Sequence, residues 1–130
     1  MPKVTIVDYQ AAQDLTRDEA VRWRFTLPEN FVQGTGQAIP VLFFRVDATK
    51  DNTCYVHVNS AADNPTHDNA AIRLGVRGDH GHKTLHELLS GTTFTPGSEN
   101  QILISRGRDN RNGDFYVSDI VLMYQVAIYV

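Results

Sequence analysis

Apolar and polar residues alternate with a period of two along most of the chain, the pattern of strands with one face on a core and one in water. The segment VRWRFTLP sets Val21, Trp23, Phe25 and Leu27 against Arg22, Arg24 and Thr26. CYVHVN sets Cys54, Val56 and Val58 against Tyr55, His57 and Asn59, and IRLGV sets Ile72, Leu74 and Val76 against Arg73, with Arg77 following. PVLFFRVD is apolar at both parities over its first half, as in a strand covered on both faces. KVTIVDY and NQILIS predict further strands. In the last run, FYVSDIVLMYQVAIYV, Phe115 and Val117 fall on one parity and Ile120, Leu122, Tyr124, Val126 and Ile128 on the other. A bulge near Ser118-Asp119 would bring both phases onto one face; the alternative is a strand covered on both sides.

Helix signals are sparse. AAQDLTRDEA carries Thr16-x-x-Glu19, a capping-box pattern, but no apolar stripe at helical spacing, so it predicts one short helix at most. KTLHELL suits a helical turn or a strand with Leu85 and Leu89 inward. Asn112-Gly113 predicts a hairpin turn and Pro96-Gly97 a type II turn, while SAADNPTHDNA reads as a long polar loop. About seven to nine strands in one domain, residues 1–130, predict an all-β sandwich or small barrel. Trp23, Phe25, Leu42, Phe44, Val56, Val58, Ile102, Ile104, Ile120 and Leu122 are the expected core.

Composition narrows the function classes. The 130 residues, 42% hydrophobic and 21% charged, are those of a folded domain rather than a disordered chain. A formal net charge of −3 gives no general attraction to nucleic acid, although Arg106, Arg108 and Arg111 form a local basic cluster. MPKVTIVDYQ lacks the apolar stretch of a signal peptide, and no run reaches the length of a membrane helix. The expectation is a protein of the cytoplasm, or one exported without a cleaved signal, with no membrane insertion. The single cysteine, Cys54, lies in an apolar strand pattern and reads as a buried structural thiol.

The C-terminal half carries a resemblance. FTPGSENQILISRG followed by GDFYVSDIVLMYQV resembles the closing strands of jelly-roll binding modules, the galactose-binding-like domains and related carbohydrate-binding modules. The positions that carry it are Gly97, Asn100, Ile102, Ile104 and Asp119-Ile120. It implies a single antiparallel β-sandwich of jelly-roll type. Modules of this kind bind a sugar, a peptide or a surface, and many hold a calcium ion; no ligand loop of theirs maps onto this chain.

Several segments carry candidate chemistry. In RGRDNRNGD, Asp109, Asn110, Arg111, Asn112 and Asp114 offer the acceptors and planar donors that recognise vicinal hydroxyls, and Tyr116 offers an aromatic face. The competing reading is a solvated hairpin tip closed by Asn112-Gly113. Asp79 and His80 are placed beside this loop as further ligand contacts. Asp47 and Asp51, with Asn52, offer oxygens for calcium, against the reading of a plain turn. Tyr55, His57 and Asn59 read as a ligand platform or as an ordinary exposed face. His80-x-His82 with Glu87 is similar to the first metal motif of the cupins, which implies iron, manganese, nickel or zinc. The cupin pattern needs a further histidine downstream, and none follows His86.

The reading carried forward is a non-enzymatic, lectin-like carbohydrate-binding module, with calcium (Ca2+) as the candidate cofactor. Two alternatives stay open. One is a jelly-roll subunit of a larger assembly, a homo-oligomer joined through the apolar C-terminal strand from Ile120 onward. The other is a cupin-type metal enzyme using His80, His82 and Glu87.

Overall fold

Where the alternation is regular, the chain forms strands. The computed structural model describes residues 3–12, 17–18, 20–33, 40–59, 72–78, 82–106 and 113–129. In chain order the strands are β1 (Lys3–Ala12), β2 (Arg17–Asp18), β3 (Ala20–Thr26), β4 (Val41–Ala48), β5 (Asn52–Val58), β6 (Ile72–Val76), β7 (His82–Leu88), β8 (Glu99–Arg106) and β9 (Phe115–Tyr129). One sheet runs β1-β9-β4-β7, with β2 also paired to β9, and the other runs β3-β8-β5-β6. All pairings are antiparallel. With the short β2 set aside, each sheet alternates early and late strands in the order of a double-sheet jelly roll.

The inner faces follow the predicted parity. Val21, Trp23 and Phe25 of β3, Leu42, Phe44 and Val46 of β4, Cys54 and Val56 of β5, and Ile102 and Ile104 of β8 are all buried in one core; Val58 packs at its margin. Phe94 and Phe31, which lie outside the strands, complete it. Phe31 packs edge-on against Phe94 at 5.8 Å and against Tyr124 at 5.4 Å, and Trp23 lies 4.3 Å from Phe25 between ring centroids.

The predicted phase change in the last strand is a bulge. Phe43 pairs with Val121 but Arg45 with Ser118, so β9 carries one residue more than β4 across this step. Asp119 takes φ +52 there. The extra residue returns Ile120, Leu122, Tyr124 and Val126 to the core face already used by Phe115 and Val117, all six of them buried.

The capping-box residues Thr16 and Glu19 lie outside the described residues; on either side of them β1 continues through Ala11-Ala12, and Arg17-Asp18 pairs with Val117 and Tyr116 of β9. Three expectations need correction. Asn112-Gly113 does not close a hairpin, because β8 and β9 belong to different sheets; Gly113 keeps the positive φ, +65, in a crossover between them. The C-terminal strand is no free edge. β9 is bordered by β1 over Ile120 to Tyr129 and by β4 over Phe115 to Met123, and beyond β4 the Asn30–Val32 segment bonds to Gln125 and Ala127. An assembly contact made by strand addition to β9 is therefore blocked. Finally, the face of Tyr55, His57 and Asn59 is no open platform: His57 is buried, and Asn59 is engaged in a structural bracket described below.

Of the two readings of KTLHELL, the strand is the one that forms: it is β7, with Leu85 at the margin of the core and Leu89 buried just beyond. At Pro96-Gly97 the chain turns, with Gly97 at φ +69 as a type II turn requires.

Candidate functional site

Jelly-roll connectivity sends alternate connections to the same end of the sandwich. Three of them meet around residues 49–51, the turn between β4 and β5. Thr49 exchanges two bonds with the start of β9: its backbone N–H donates to Asp114 O at 3.1 Å, and the Asp114 N–H donates to Thr49 Oγ1 at 2.8 Å. Asp51 Oδ1 accepts from the Gly78 N–H at 2.9 Å, which holds the chain leaving β6. Asn52, buried, donates from Nδ2 to Lys50 O at 2.8 Å and stiffens the turn from beneath. Arg106, at the end of β8, donates to Gly113 O at 2.8 Å and joins the two stems of the β8–β9 crossover.

Two glycines make these approaches possible. A Cβ at Gly78 would fall on the Lys50 backbone, and one at Gly113 on the Thr49 hydroxyl. Gly113 also needs its positive φ. The sequence shows both glycines, but their role depends on strand order, which no local pattern encodes.

The predicted site residues divide as follows. Asp114 is exposed at this end, and Asp51 is exposed in the turn. Asp79, His80 and Asp109 to Asn112 lie outside the described residues; Asp79 directly follows the anchored Gly78, and the 109–112 segment spans the joined stems Arg106 and Gly113. Asp47 is half-buried on β4, opposite His82 on one side and Tyr116 on the other. Tyr116 is exposed, so an aromatic side chain does border this end.

Of the proposed transition-metal set, His80 lies outside the described residues. The backbone pairs His82 with Asp47 and Glu87 with Leu42, five positions apart on one strand, a span of about 17 Å. Among the described residues no three His, Cys, Asp or Glu side chains come together as a metal cluster, Asp47 and Asp51 included.

Of the two perturbed ionisable groups, Cys54 is buried beneath this end, opposite Arg106, and Tyr124 lies further along β9. Burial pushes the Cys54 thiol up to about 12, which makes it an inert core thiol rather than a nucleophile. Tyr124 is raised by burial; a hydrogen bond from Gln10 opposes the shift and the Asp8 carboxylate adds to it. The arrangement is suited to holding polar loops in fixed relation, the requirement of a binding site.

No protein-family profile matches the chain, and no curated protein does. Among solved structures, it is similar to part of a cycloalternan-forming enzyme from Listeria monocytogenes, solved with a pentasaccharide substrate. The likeness has 12% identity and a TM-score of 0.44, and it covers 91% of this chain and 11% of that one. No helix among the described residues is long and apolar enough to cross a membrane.

Proposed function

We propose that this protein is a carbohydrate-binding module that takes its ligand at the end of the sandwich built on residues 49–51. The observation that carries the reading is the bonding of Gly78 and Asp114 to one turn, with Gly113 lying close against Thr49. It tethers the stems of the two segments expected to contact the ligand, Asp79-His80 and Asp109 to Asp114, to a common base. Asp, Asn and Arg side chains there would bond vicinal hydroxyls, and Tyr116 would cover an apolar sugar face. A site preorganised on a rigid base loses less entropy on binding than one on independent loops. Calcium enters as an assisting ion, held by Asp51 or Asp47 together with loop oxygens, since carboxylates and carbonyls are its ligands.

A glycan array run with calcium and again with chelator tests this. The expected result is selective binding that disappears in the double variant Asp109→Ala/Asn112→Ala while the melting temperature stays nearly unchanged. Loss of binding under chelator would assign the ion to the site; binding that persists would remove calcium from the proposal. A blank array in both conditions would overturn the carbohydrate reading.

A further inference from the structure

The β1 edge of the first sheet is lightly protected. β1 pairs with β9 in unbroken register from Lys3–Tyr129 to Ala12–Ile120, and among the described residues no strand lies on its other side. Its sequence, KVTIVDYQAA, has no proline, its pairing has no bulge, and its only charges are Lys3, at the start, and Asp8. Those are the devices that keep sheet edges from pairing. The other edges use them: β3 presents Arg22 and Arg24, β6 spans five residues with Arg73 among them, and β7 includes Lys83 and Glu87.

β1 is also bare on both faces. Every residue from Lys3 to Tyr9 is exposed. Val4 and Ile6, at 38% and 46%, share one parity; Val7 and Tyr9, at 60% and 63%, share the other. A ten-residue strand with open backbone donors and acceptors and apolar side chains on both faces is built to receive another strand.

We propose that the occupant is a second copy of this chain, with β1 pairing antiparallel to β1 across a two-fold axis near Ile6. Such an axis sets Ile6 opposite Ile6 and Thr5 opposite Val7, so β-branched residues meet. Lys3 falls opposite Tyr9, and Asp8 opposite Val4, so no like charges face each other. Lys3 of one copy also comes to the same end of the ribbon as Asp8 of the other, and the charges there are complementary. The two sheets become one, running β7-β4-β9-β1 and then the same order reversed. Among the described strands each copy has one of this kind, and a two-fold pairing uses both, so it closes at two copies and does not propagate.

Sedimentation equilibrium tests the proposal on the protein as it stands. The expected mass at high concentration is twice the 14.6 kDa of one chain, falling to one chain in Val7→Lys, with the circular dichroism spectrum and melting temperature retained. Should Val7→Lys not fold, Ile6→Cys supplies the second measurement. Under mild oxidation it should form a disulfide-linked dimer, whereas Arg24→Cys on the other sheet should not, and the native Cys54 is buried and does not interfere. A monomer at every concentration, a dimer untouched by Val7→Lys, or cross-linking at Arg24→Cys in place of Ile6→Cys would overturn it. Association with a different protein strand, and none with itself, would do so as well.

Discussion

Asn59 Nδ2 lies 2.9 Å from Asn100 Oδ1, and this bond fastens the end of β5 to the start of β8. Asn100 is buried, and its amide is fully used. The oxygen also accepts from the Thr95 N–H, and the nitrogen donates to Thr95 O and Ser98 O. Asn59, at φ +52, donates to Thr93 O and accepts from the Gln101 N–H. Replacing Asn100 with Ala would strand several of these partners. The expected loss is about 2–3 kcal/mol by urea denaturation, against well under half of that for Gln101→Ala on the sheet surface.

The bulge makes a separate prediction. Asp119 holds a left-handed backbone that β-branched residues resist. Asp119→Val should lower stability by about 1–2 kcal/mol, and Asp119→Gly should leave it equal or raise it. Loss of the ion pair with Arg45, whose 3.5 Å contact is between partly exposed groups, adds little in either variant. Thermal melts of the two variants side by side distinguish backbone strain from charge: equal losses would mean that charge dominates.

Cys54 should be silent in the native state. Its thiol is buried and raised from 9.0 to about 12, so reaction with a thiol reagent at neutral pH should proceed at the rate of unfolding. The same shift ties stability to pH. Below pH 9.0 both folded and unfolded thiols keep the proton; between 9.0 and about 12 only the folded one does, so stability falls as pH rises through that interval. Cys54→Ala should flatten this part of the curve.

At the loop end, Gly78→Ala would drive a methyl group into the Lys50 backbone and lift the β6–β7 connection from its base. Glycan binding should weaken at least tenfold while the midpoint of thermal unfolding moves by only a few degrees. Equal affinity in this variant would detach the β6–β7 connection from the site.

Parity made much of this fold legible. The step from Phe115 and Val117 to Ile120 and Leu122 cannot stay on one face without an extra residue, and the bulge is where that break in phase requires it. Strand order was not legible in the same way. Asn112-Gly113 looks locally like a hairpin, yet the strands before and after it, β8 and β9, belong to different sheets. Phe31 and Phe94 escaped the pattern because they enter the core from turns, where no period marks them. His57 sits on the outward parity and is nevertheless buried. The site shows the same division. Its Asp, Asn and Arg residues stand out by composition, but the shared base at Thr49 and Asp51 emerges only once β4–β5, β6–β7 and β8–β9 are known to reach one end. Spacing alone joined His80, His82 and Glu87; on the extended β7 strand His82 and Glu87 stand five positions apart.

The register of Lys3 with Tyr129 has a consequence for how the molecule forms. β9 lies between β1 and β4 in the first sheet, so neither of those strands has its inner neighbour until β9 arrives. The β1–β9 pairing closes a loop that takes in every other strand named above, a contact of the kind that forms slowly. Until it forms, both backbone edges of β1 stay open to whatever chaperone or neighbour meets them first.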